Sequence, residues 1–236
     1  YAGLAIGPLV AVPLGGARHP VAVWFVALAL PLVAAAAVRR SRLPVVERAG
    51  ERGTGVVWRQ TLRPGVGLLL VNIGYVAVLA FGAAATTAHH LGLATYVIPI
   101  FAGGVIASRT ILGTVPDRAG ARRTLVGAAV VEAAGLVVFA AATSTALAVA
   151  ALLALSLGQG LAVPSLGALA LEGVPAERRG SAAGAFFAYF DAGVGLGGPF
   201  TGALAHAFDA SVALWVAAAA VSLAPLVARV SRRERG

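Results

Sequence analysis

The sequence predicts an all-α protein, a multi-pass bundle of membrane-spanning helices. Three observations predict it. Mean hydropathy is +0.91 and 59% of the 236 residues are hydrophobic, while 11% are charged; a soluble domain carries about 25% charged residues because its surface faces water. The apolar residues are gathered into runs of about 20, the length a helix needs to cross about 30 Å of hydrocarbon. The charges fall between these runs, and nearly all of the arginines fall on the same side of them.

The runs lie at 1–15, 20–38, 65–88, 94–114, 124–143, 146–170, 181–205 and 210–229. Each is apolar all round, which excludes the surface helices of a soluble domain. None alternates polar and apolar residues as the strands of a membrane barrel do. Helix is then the remaining spanning structure, because every backbone polar group must be paired within its own segment. The 30 glycines suit helices that approach closely in lipid. The longest connection, 39–64, is polar and is the candidate linker between an early unit, 1–38, and a later one, 65–236.

Arginines follow every second run. Arg39, Arg40, Arg42, Arg48, Arg52, Arg59 and Arg63 follow the second, Arg118, Arg122 and Arg123 the fourth, Arg178 and Arg179 the sixth, and Arg229, Arg232, Arg233 and Arg235 the eighth. The opposite connections hold Arg18 and the four histidines. By the positive-inside rule the arginine side is cytoplasmic. All 18 basic residues are Arg, in a chain rich in Ala, Gly and Val, which points to a GC-rich bacterial gene; the expected location of the helical spans is the inner membrane.

Several function classes are excluded or disfavoured. A net charge of +9 spread between apolar runs is not the basic face of a nucleic-acid binder. With no cysteine there is neither a disulfide nor a thiolate metal site. The adjacent His89 and His90 do not share a helix face, and no metal or cofactor site is expected. No nucleotide loop and no hydrolytic triad spacing is found, so an enzyme is not expected and an ion gradient is the expected energy source. The chain starts at Tyr1 inside an apolar run, which reads as a truncation. A repeat supports that reading. Shifted by 191 residues, Gly7-Pro8 falls on Gly198-Pro199, and Val21-Ala22 and Trp24 fall on Val212-Ala213 and Trp215. Two helix sets related by a parallel repeat are a transporter architecture.

The stretch Gly113-Thr-Val-Pro-Asp117-Arg118-Ala-Gly120-Ala-Arg122-Arg123 resembles the cytoplasmic loop signature G-x-x-x-D-R-x-G-R-R/K-R/K of the major facilitator superfamily, departing from it at Ala121. Gly3-x-x-x-Gly7-Pro8 resembles the tail of that family's fifth-helix antiporter motif. Val131-Glu132-Ala-Ala-Gly135, Pro175-Ala-Glu177-Arg178-Arg179-Gly180 and Phe190-Asp191 resemble its bacterial sugar- and drug-efflux branch. The resemblance implies helices 5 to 12, namely the last two helices of the front half and a complete six-helix rear half, with helices 1 to 4 of the same protein missing. It implies secondary active transport of a small solute by alternating access, with proton-coupled efflux. The rivals are a non-transporting sensor or scaffold of the same fold and an inactive fragment.

Three charges lie inside apolar runs, where each costs at least about 2.5 kcal/mol and therefore has a partner or a job. They are Arg109, Glu132 and Asp191. Counted from the arginine ends at 1.5 Å per residue, they lie roughly 9, 12 and 15 Å deep. The expectation is a cluster in which Arg109 pairs with Glu132 or Asp191 and one carboxylate takes a proton when the arginine moves. A static ion pair is the plainer alternative. The resemblance implies a gate built from Gly113, Asp117, Arg118, Gly120, Arg122, Arg123 and Glu172. It also implies that Asn72, Tyr75, Gln159 and Tyr189 line the solute cavity, with interhelical bonding as the alternative for each.

Overall fold

The computed structural model describes residues 54–229, preceded by isolated helical positions 29, 32, 33 and 36. Its helices are α1 (Thr54–Ala88), α2 (Val97–Leu112), α3 (Val115–Ala119), α4 (Ala121–Ala140), α5 (Thr145–Leu171), α6 (Arg179–Ala207) and α7 (Ala210–Arg229), with a 3-10 turn at Ala176–Arg178 leading into α6. Every apolar run expected between 65 and 229 is one helix, and α3 is a short addition in the motif-bearing loop. Helix 1–15, nearly all of helix 20–38, the first copy of the repeat, the fifth-helix motif and Arg232, Arg233 and Arg235 lie outside the described residues.

Local chemistry sets the helix ends. The Ser144 hydroxyl accepts from the Leu147 N–H at 3.3 Å and starts α5. An Asp209 carboxylate oxygen accepts from the Val212 N–H at 2.9 Å and starts α7. Each satisfies an N–H that the first helical turn leaves over. Gly120 separates α3 from α4 with φ of 87°, a conformation that a residue with a Cβ rarely adopts. Pro99 stands in the first turn of α2, where its missing N–H breaks no bond.

The largest departure is the start of α1. The polar connection 39–64 is helical from Thr54, and Pro64 is carried inside the helix. A tertiary contact accompanies this early start: the Trp58 ring packs edge-on against Tyr189 of α6, with centroids 5.7 Å apart. Among the described residues four stretches are long and apolar enough to cross a membrane, Trp58–Ala88, Ala121–Ala140, Thr145–Leu171 and Ala210–Val227. The apolar α2 has 16 residues, about 24 Å at 1.5 Å each. The 29-residue α6 has the length, but glycines, Asp191 and His206 dilute its apolar character.

Close contacts give the direction of every long helix. Gly193 of α6 faces Leu69 and Asn72 of α1, and Gly197 faces Ile73 and Val76, so α1 and α6 are parallel. Gly74 of α1 faces Glu132 and Leu136 of α4 while Gly82 faces Phe139, so α4 runs the same way. Gly135 of α4 meets Ala151 and Leu155 of α5 while Gly158 meets Ala128 and Glu132, so α5 is antiparallel to α4. Gly104 of α2 faces Ser156 and Gly160 of α5 faces Ser108, so α2 follows α5. Gly67 faces Ala224 and Gly74 faces Val221, so α7 opposes α1. Hence α1, α4 and α6 run one way and α2, α5 and α7 the other. The arginines at the starts of α1, α4 and α6, in α3 and at the end of α7 all gather at one end of the bundle. At the opposite end the Thr145 hydroxyl donates to Leu91 O at 3.0 Å and ties two connections together.

The core has two parts. One, toward the end without arginines, contains Phe101, Phe139, Leu136, Leu152, Leu155, Leu214 and Val221. The other, toward the arginine end, contains Leu68, Val71, Leu125, Leu166 and Phe186. Lipid tails are as apolar as these side chains, so tight contact and interhelical hydrogen bonds hold the helices together. Most buried hydroxyls bond within their own helix, such as Ser165 to Leu161 O at 2.7 Å and Thr201 to Gly197 O at 2.6 Å. Ser108 of α2 instead donates to Leu157 O of α5 at 3.2 Å.

Candidate functional site

The three intramembrane charges are placed very differently. Glu132 is 2% exposed and lies at the seam of α4 and α5. A Cβ added to Gly158 would stand 2.7 Å from Glu132 N and 2.6 Å from Ala128 O, so the α5 backbone presses on the base of this side chain. The carboxyl reaches toward α1, where Oε1 would be 3.3 Å from a Cβ at Gly74. Its other oxygen, Oε2, is buried and has no hydrogen-bond partner among the described residues. Asp191 is exposed on α6, a helix that packs mainly on α1. Arg109 is half-buried on α2 and engaged elsewhere.

No ion pair among the described residues joins Arg109 to either acid. The depths differ as well. The register of α6 on α1 and of α2 on α5 sets Asp191 and Arg109 about 8 Å nearer the arginine end than Glu132, taking 1.5 Å per residue. Glu132 is the deepest of the three, although counting along the chain puts Asp191 deepest. The count fails because the helices do not begin at one level: the register of each on its neighbour, and not its first residue, sets depth.

The polar residues of the expected cavity are divided between the α1–α6 contact and α5. Asn72 is fully buried; its Nδ2 donates to Phe190 O across the α1–α6 contact at 3.4 Å, and its Oδ1 has no partner among the described residues. Tyr75, one turn on, is half-buried, with its ring 6.0 Å from that of Phe101 and 6.2 Å from that of Phe190. Gln159 is fully buried on α5, beside the glycine that packs on Glu132. Tyr189 lies nearer the arginine end, against Trp58. Asn72, Tyr75 and the α6 backbone are thus brought together, and Tyr189 is apart from them.

The loop residues Asp117, Arg118, Gly120, Arg123 and Glu172 are exposed, and Arg122 is half-buried. Asp117 and Arg118 ride on α3. A Cβ at Gly113 would strike the Arg109 carbonyl oxygen, so this glycine lets the chain turn tightly out of α2. Gly120 O accepts from the Thr124 hydroxyl at 3.1 Å and fixes the start of α4. No ion pair links Asp117, Arg118 and Glu172 among the described residues.

A family model described as Major Facilitator Superfamily matches residues 1–192 and 74–236. The chain belongs to the major facilitator superfamily. An uncharacterized MFS-type transporter of Salmonella typhimurium is 30% identical over 99% of the chain and 60% of its own length. Relatives described in the same words in Pseudomonas aeruginosa and Burkholderia mallei are 28% and 29% identical, over 89% and 88% of the chain and 50% and 51% of their own lengths. The chain therefore spans between half and three-fifths of these relatives.

Within this superfamily chain, sequence reasoning missed the residues that enclose the polar groups. Gly74 and Gly158 form the walls around Glu132, and Phe101 completes the aromatic set around Tyr75. A glycine directly before a buried glutamine was the available signal at Gly158. Trp58 gave none, since it stands in a stretch that reads as a polar connection.

Proposed function

We propose that this chain is the larger part of a secondary active transporter that moves a small solute across the bacterial inner membrane by alternating access between two helix bundles. The movement proposed is proton-coupled efflux. Membership of the superfamily supports transport, and the gathering of the arginine ends supports an orientation with that end cytoplasmic. The observation that carries the coupling is Glu132. It is a carboxyl group 2% exposed inside an apolar bundle, with one oxygen unpaired. A permanent charge there is strongly disfavoured, whereas an acid that binds and releases a proton is a working part. Asn72, Tyr75, Gln159 and Tyr189 are the proposed solute contacts. Asp117, Arg118, Arg122, Arg123 and Glu172 form the proposed gate at the arginine end, with Gly113 and Gly120 shaping its turns.

The test uses the full-length protein in sealed lipid vesicles with an imposed pH gradient and a panel of small solutes. The expected result is solute movement driven by the gradient, abolished by a proton ionophore. Movement that persists at the same rate with the gradient collapsed overturns proton coupling, and absence of movement for every solute overturns transport.

A further inference from the structure

The geometry points to a binding site for one anionic phospholipid at the arginine end of α1. Arg59 and Arg63 hold its phosphate, and Leu62, Val66 and Leu70 line an acyl chain. Such a site goes beyond the transport reading and needs only a bundle that lies in a bilayer. The stretch Trp58–Ala88 has 31 residues, about 46 Å at 1.5 Å each. That is close to the thickness of a bilayer with its headgroup layers, about 40–45 Å, whereas the hydrocarbon alone is about 30 Å. The apolar run starts at 65, so residues 58–63 stand at headgroup level, where the exposed Trp58 is suited to the interface. Tyr189 of α6 pins this part of α1: its ring lies where a Cβ at Gly65 would stand and packs on Trp58.

Arg59, Leu62, Arg63, Val66 and Leu70 recur at helical spacing and form one stripe along α1. Arg59 and Leu62 are exposed, and Arg63, Val66 and Leu70 are half-buried. Gly65 and Asn72 face α6, Gly67 and Gly74 face α7, and Leu68 and Val71 lie in the core. At about 100° per residue the stripe falls between the α6 and α7 sides and opposite the core. It is therefore an outward groove, basic at headgroup level and apolar toward the bilayer centre. Charge complementarity selects the occupant. α1 and α7 contain no acidic residue, and Asp191 of α6 stands near the level of Leu69, about 15 Å from Arg59 along the axis. Arg59 forms no ion pair among the described residues. Arg63 is engaged within the protein, but a guanidinium carries five N–H donors and can hold a phosphate beside a protein partner. A phosphodiester fits the fork of a guanidinium. A soluble anion has no tail for the apolar strip, and a zwitterionic lipid brings a cation of its own to the two arginines. The start of α6 lacks the combination. Behind Arg178 and Arg179 the exposed residues are Gly180, Ser181 and Gly184, and Arg179 Nε already donates to Val174 O at 3.4 Å.

Native mass spectrometry of the full-length protein in detergent tests the site, with phosphatidylglycerol and phosphatidylcholine of the same acyl chains as probes. Wild type is expected to bind one phosphatidylglycerol about tenfold more tightly than phosphatidylcholine, in keeping with two basic contacts to an anionic headgroup. Arg59→Gln/Arg63→Gln is expected to lose that preference. Arg232→Gln/Arg233→Gln, which removes the same charge elsewhere in the chain, is expected to keep it. If the first double variant is not recovered, Arg59→Gln alone must still weaken phosphatidylglycerol binding by about threefold. Equal affinity of wild type for the two lipids overturns the site. So does a preference that survives Arg59→Gln/Arg63→Gln, or one that Arg232→Gln/Arg233→Gln loses equally, since net charge alone would then hold the lipid. Inorganic phosphate that displaces phosphatidylglycerol at equal concentration shows a soluble anion in its place and overturns the lipid. No solute is present in these measurements, so their failure is distinct from failure of the transport reading, which the vesicle assay decides.

Discussion

The seam between α4 and α5 is closed, and the outer face of α6 is open. Both are helices rich in small residues with a single acid near the middle. At the seam, a Cβ on Gly158 or Gly135 would fall against backbone atoms of the neighbouring helix, and Glu132 is shut in beside them. On α6, Gly184 and Gly195 are exposed with nothing within 4 Å of an added Cβ, and Asp191 is exposed on the same helix. The difference teaches that neither a glycine nor an acid in an apolar run has a meaning of its own here. The neighbouring helix supplies it.

Substitutions that treat the two regions alike should give unlike results. The largest effect is expected for Gly158→Leu. Its side chain would have to displace the α4 backbone, so folded, monodisperse full-length protein should be lost on size exclusion in detergent. Even Gly158→Ala is expected to destabilise by about 1–3 kcal/mol. Gly195→Leu should be recovered at wild-type yield, and poor recovery of both would erase the contrast. Next comes Gly120→Ala, at the boundary between the loop and the closed seam. Forcing a Cβ into a backbone with φ of 87° is expected to cost about 1–2 kcal/mol, read as a lower midpoint of thermal unfolding. Asn72→Ala removes one interhelical bond from the α1–α6 seam. It should cost about 0.6–1.7 kcal/mol, in line with measured bonds of this kind in membrane bundles, and a larger loss would mean that Asn72 holds more than Phe190. The smallest effect is expected for Asp191→Asn. With the exposed α6 face in water, an acid that has no ion pair among the described residues should leave stability within about 0.5 kcal/mol of wild type, and a marked change in either direction would show that this face meets lipid or another helix in the full-length protein.

The loop between α2 and α4 shows how far a local motif can be read. Gly120 was legible because a positive φ is a property of one residue and its backbone, and Asp117 and Arg118 follow from spacing alone. Whether those charges pair was not legible, because pairing depends on where the end of α5 places Glu172, and in this structure the three form no ion pair. The expected cluster of Arg109, Glu132 and Asp191 met the same limit. Distance from a helix end estimates depth, but the direction of a side chain is set by which helices adjoin it. Those pairings follow from small-residue contacts scattered among 30 glycines.

The sequence by itself determined the membrane class, the helical segments and the gathering of arginines at one end. Each of these follows from hydropathy and charge read along the chain, and the bilayer imposes the same requirement on every segment independently. Tertiary structure alone decided that α1 starts at Thr54, that Glu132 is enclosed while Asp191 is exposed, and that Asn72 and Gly74 face opposite neighbours. Those outcomes depend on which faces of two helices meet, and such contacts join residues far apart in the chain.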